Sequence, residues 1–98
     1  MESPRTQQLA HLGKLAEELT GNGLSAELVG KISKPYLKVA NADTPSLNER
    51  VLCQQGDDGH WIYEWPWQQP IGSVDDLVLV VSRIALVLRS VEAGGADG

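Results

Sequence analysis

Few residues in this sequence are of a type that does covalent chemistry. Cys53 is the only cysteine, and His11 and His60 are the only histidines. A cysteine nucleophile needs a base within reach and a third group to orient that base. Cys53 and His60 supply the first pair, but no spacing in the chain nominates an orienting residue. Asp57 and Asp58 precede His60 and sketch a weak metal site. Acids in a turn are more often solvated, and no zinc-ligand spacing occurs. A single cysteine excludes an intrachain disulfide and any cysteine cluster. There is no phosphate-binding loop or dinucleotide fingerprint, and "GNG" at residues 21–23 reads as a helix stop. The expectation is a non-enzymatic protein with no cofactor and no metal.

The composition narrows the partners. The chain has 98 residues, 42% of them hydrophobic, with no phenylalanine. One α+β domain over residues 1–92, followed by a flexible tail over residues 93–98, accommodates this. Thirteen acids against eight bases give a net charge of −5, which repels a phosphate backbone unless the bases cluster. Lys31, Lys34 and Lys38 lie close in sequence but read as the solvated end of a hairpin, so no nucleic-acid partner is expected. The polar start "MESPRTQQ" is unlike a signal peptide, and the stretch from Leu77 to Leu88 is too short to span a bilayer. No membrane role is expected, and the expected compartment is the cytoplasm.

The pattern of apolar residues sets the elements. Ser3-Pro4 reads as a helix start, and Leu9, Leu12, Leu15, Ala16 and Leu19 recur at helical spacing. Gly13 interrupts this helix and suggests close approach to a strand. Gly21 or Gly23 ends it in the left-handed conformation. Alternation predicts strands over residues 24–32, 36–41, 49–55 and 60–67, with turns at 33–35 and 56–59 and a loop at 42–48. Ser73 with Asp76 resembles a capping box, and Asp75 and Asp76 suit a helix dipole in the first turn. A helix of about 17 residues follows, with Leu77, Val81, Ile84, Leu88 and Val91 in register. The predicted order is α-β-β-β-β-α: a four-stranded antiparallel sheet with both helices on one face.

The stretch "DGHWIYEWPWQQPIG" holds all three tryptophans. At a period of two, Trp61, Tyr63, Trp65 and Trp67 share one face. With Gly59 in a left-handed bulge position, Gly56 pairs with His60, Cys53 lies opposite Tyr63, and Val51 opposite Trp65. Indoles on that face fill a core that has no phenylalanine. Pro66 must end the ladder, so Trp65 and Trp67 stand where the sheet gives way to a loop. Tyr63, Trp65 and Trp67 are therefore the candidate contact residues for a partner or ligand, with core packing as the alternative.

The last helix carries more apolar surface than one stripe needs. Val80, Val87, Leu79 and Leu86 lie beyond the expected core stripe and are the candidate homodimer interface.

The pattern "LAEELTGNGLSAELV", then "LKVAN", "LNERVLC" and "DDGHWIYEWPWQQPIGSVDDLVLVVSRIALVL", resembles a group of short, uncharacterised actinobacterial α/β proteins. The matching positions are Leu24 after Gly23, Val39 and Asn41, Trp65 and Trp67, Ile71, and Asp75 with Asp76. That resemblance implies no catalytic residues and, by association with helix-turn-helix regulators, a regulatory role. The architecture is also similar to that of type III secretion chaperones, an analogy of fold alone. Together these readings give an expected dimeric adaptor or chaperone-like module that binds a protein or peptide. The alternative is a small-ligand binder with an aromatic pocket between sheet and helices, lined by Trp61, Tyr63 and Trp65.

Overall fold

The computed structural model describes residues 3–30 and 34–97, with side chains described through residue 88. The elements run α1 (Pro4–Thr20), β1 (Leu24–Val29), β2 (Tyr36–Asn41), β3 (Asn48–Gln55), β4 (Trp61–Glu64), β5 (Pro70–Ser73) and α2 (Leu77–Asp97). The architecture is α+β, with a five-stranded antiparallel meander in the order β1-β2-β3-β4-β5.

Helix α1 begins as its sequence requires. Ser3 caps it, its Oγ accepting from the Thr6 amide at 3.2 Å, and Pro4 occupies the first turn. At its end Gly21 is right-handed, and Gly23 takes the positive φ of 85°. Leu12, Leu15 and Leu19 are fully buried. A Cβ on Gly13 would meet nothing within 4 Å, so no strand approaches there and that expectation is not met.

Strand β1 ends at Val29, short of the expected Ile32, and residues 31–33 lie outside the described residues. Asn41 closes β2: its buried Oδ1 accepts from the amides of Asp43 and Thr44 at 2.8 and 3.1 Å, which folds the loop into β3.

The fifth strand was not expected. β4 stops at Glu64, as Pro66 demands, and the chain reverses and returns as "PIGS". Proline and glycine are both depleted in strands, so that segment carries no strand signature. Its ladder is also irregular. Tyr63 opposes Gly72 and Glu64 opposes Pro70, which leaves Ile71 as an unpaired bulge residue whose side chain is buried. Gly72 faces α2 so closely that a Cβ there would stand 2.9 Å from Val80 Cγ2.

Helix α2 starts later than Ser73 suggests. Ser73 Oγ accepts from the Asp75 amide, and its carbonyl accepts from the Asp76 amide, which makes a turn. Asp76 is the residue before the helix, and its carbonyl accepts from the Val80 amide. The acids therefore precede the first turn and do not occupy it. The helix extends to Asp97, through the segment expected as a tail; no proline stops its propagation. Leucines of α1 share one core with Leu37, Val39, Val51, Cys53 and Tyr63 of the sheet and with Val80, Ile84 and Leu88 of α2.

Candidate functional site

The two hairpins joined by β4 have the same turn. In the first, the Gly56 amide donates to the His60 carbonyl at 2.8 Å and the Gly59 amide to the Gly56 carbonyl at 3.0 Å. In the second, the Trp65 amide donates to the Gln69 carbonyl at 2.9 Å and the Gln68 amide to the Trp65 carbonyl at 3.0 Å. Both need a left-handed residue at the fourth position. Gly59 has φ 86° and Gln68 has φ 67°, the latter being the only non-glycine with positive φ among the described residues. Pro66 sets φ for the first corner of the second turn.

This second turn places the aromatics. Trp65 is buried, and Trp67 stacks on it with ring centroids 5.4 Å apart and planes 7° from parallel. Trp67 is 55% exposed, and its Nε1 donates to Gln69 Oε1 at 2.8 Å. An indole thus lies open to solvent with its polar atom already bonded and its inner face backed by the core.

Of the three candidate contact residues, only Trp67 is exposed. Tyr63 is fully buried opposite Cys53, as the register argument expects. Its hydroxyl donates to the His11 carbonyl at 2.5 Å, and burial holds the phenol protonated well above its ordinary range. Trp61 is half-buried; its Nε1 donates to Gln7 Oε1 at 3.0 Å, and its ring lies 5.5 Å from that of His11. Burial lowers the His11 pKa, as does Lys14, against an opposing pull from Asp75. The polar edge of α1 is thereby tied to β3 and β4.

The dimer candidates also divide. Val80 is fully buried against Gly72 within the chain, so it belongs to the core and is unavailable to a partner. Leu79, Leu86 and Val87 are exposed by 38%, 64% and 37%, and Val78 joins them. Helical geometry explains the split: Val80 follows the Ile84 and Leu88 stripe at a spacing of four, whereas Leu79 and Leu86 lie seven apart on another face. Arg83, also on α2, donates from Nη1 to the carbonyl of Ile71 and so ties the bulge of β5 to the helix.

The space between sheet and helices is occupied by core side chains, including Tyr63 and Trp65. A groove of about 630 Å³ lies instead at the edge of β3, and of the expected pocket residues only Trp61 lines it. Cys53 is buried, and desolvation pushes its thiol up to about 12, so at neutral pH it is a protonated thiol and a poor nucleophile. His60 is exposed at the first turn, 3.1 Å from Asp58. Among the described residues no group of three or more histidines, cysteines and acids is placed to hold a metal ion. None of the described helices is long and apolar enough to cross a membrane. No protein-family model, curated protein or solved structure matches the chain.

Proposed function

We propose that this protein is a small interaction module, an adaptor or chaperone-like regulatory protein. It binds a protein or peptide through the Trp65–Gln69 turn and pairs with a second copy through α2. The observation that carries the reading is Trp67, an exposed indole stacked on a buried one. Tryptophan in such a setting supplies large contact area with little entropy left to lose. The exposed Leu79, Leu86 and Val87 on α2 support the pairing of two copies. Light scattering at micromolar concentration is the test, with about twice the chain mass expected. Leu86→Glu, at an exposed position, is expected to give a folded monomer. A wild-type protein that is strictly monomeric removes the homodimer from the reading.

A further inference from the structure

The open ring of Trp67 offers a partner a restricted chemistry. Its Nε1 already donates to Gln69, so the indole has no hydrogen bond left to give. What remains is the π face, which is electron-rich and backed by the parallel ring of Trp65. Such a face takes an apolar group or a cation, and indole is the strongest of the side-chain rings for a cation.

The neighbouring strand decides between the two. Leu52 opposes Glu64, so one step further along β3 Val51 stands level with Trp65. Glu49 lies two residues beyond Val51, about 7 Å along the strand. It opposes Val39, a fully buried core residue, and so lies on the core face of the sheet, the face that Trp65 joins. Glu49 is half-buried, and among the described residues it has no ion-pair partner. A carboxylate partly removed from water and left without a cation favours a cationic visitor over an apolar one. The chain's own cations nearby are turned elsewhere. Lys38 and Arg50 oppose each other on the other face, and Arg50 lies over the Tyr36 ring, 5.6 Å from its centroid. Arg83 of α2 donates to the Ile71 carbonyl. The net charge of −5 draws a basic partner to the molecule as a whole.

We infer that the Trp65–Gln69 turn receives an arginine of a basic protein segment, its guanidinium stacked on the outer face of Trp67 and its charge opposed by the Glu49 carboxylate. A guanidinium fits better than an ammonium because it is planar. It stacks on the indole and keeps its edge N–H groups free for a carboxylate. The inference rests on the reading of Trp67 as a contact residue and adds the chemistry of what it contacts.

The probe is an acetylated and amidated Gly-Arg-Gly-Arg-Gly peptide titrated into the ¹⁵N-labelled full chain. The readout is the indole N–H signal of Trp67, assigned as the one that disappears in Trp67→Phe. That signal is expected to shift saturably, and added salt to weaken the binding. The same peptide with citrulline in place of arginine keeps the planar group and loses the charge. It is expected to bind about fivefold more weakly or worse. Glu49→Gln is expected to weaken the arginine peptide by about threefold and to leave the citrulline peptide unchanged. The inference is overturned if the Trp67 signal does not move, if the two peptides bind equally, or if Glu49→Gln leaves arginine binding unaltered. Shifts confined to the Gly56–His60 turn, with its Asp57 and Asp58, overturn it as well. If the arginine peptide fails while a partner captured from cells is still lost with Trp67→Ala, the turn contacts a different chemistry and this inference alone falls.

Discussion

The two hairpins that share β4 adopt one backbone turn with opposite side chains. The Gly56–His60 turn places glycine at the left-handed position and charged residues at its corners, where water solvates them. The Trp65–Gln69 turn places Gln68 at that position and two stacked indoles around it. A non-glycine residue there costs on the order of 1 kcal/mol. The first turn is what connecting two strands requires. The second holds a large apolar ring in solvent at a conformational cost, and connection alone explains neither feature. The two turns therefore share a hydrogen-bond pattern and differ in their side chains: one is a solvated connector, the other holds an indole in solvent.

The comparison breaks most visibly at its inner indole. Trp65→Ala should lower stability by about 3–5 kcal/mol, whereas Trp67→Ala should cost about 1 kcal/mol or less, read as denaturant midpoints. Equal losses would make both rings core and end the distinction between the turns. Between them in size, Gly72→Ala on the strand leaving the second turn should cost about 1–3 kcal/mol, because its Cβ would press on Val80. The left-handed positions give opposite signs: Gln68→Gly should raise stability by about 0.5–1 kcal/mol, and Gly59→Gln should lower it by a similar amount. If Gln68→Gly destabilises instead, the Gln68 side chain holds the turn by a contact that outweighs its backbone cost.

Two smaller effects test the ground on which both hairpins stand. Cys53 should resist iodoacetamide at pH 8 in the native protein and react on unfolding, since its thiol sits at about 12. Rapid labelling of native protein would mean that the β3–β4 pair opens readily. His11 packs against Trp61 with a lowered pKa, so the unfolded chain binds its proton more tightly than the folded one. Its contribution is complete above the unfolded value near 6.5 and is lost as pH falls through the lower folded value. His11→Gln should flatten that part of the stability–pH profile.

Much of this was legible beforehand in particular residues. Ser3-Pro4 announced α1, alternation announced β2 and β3, and Gly59 fixed the register that sets Cys53 opposite Tyr63. The fifth strand was hidden because its turn uses glutamine where glycine is the usual sign, and because its bulge breaks the period of two. Pro66 was the one cue, since proline at the first corner of such a turn forecasts a reversal and not only an end. Val80 stands four residues before Ile84, so its spacing already placed it on the core stripe, and counting it as excess apolar surface was the error. Gly72 admits Val80 there. The groove beside β3 was invisible in sequence, because its lining comes from α1, the segment before β2, β3 and β4, which only the fold brings together.

The claim that the second turn presents a contact surface is tested most directly by capture from the native cell with tagged wild type and Trp67→Ala in parallel, both first shown to be equally folded by circular dichroism. The account predicts that a protein recovered with the wild type is lost with Trp67→Ala, although the variant is folded. Recovery of the same proteins in the same amounts by both would contradict it and leave Trp67 as an exposed ring without a partner.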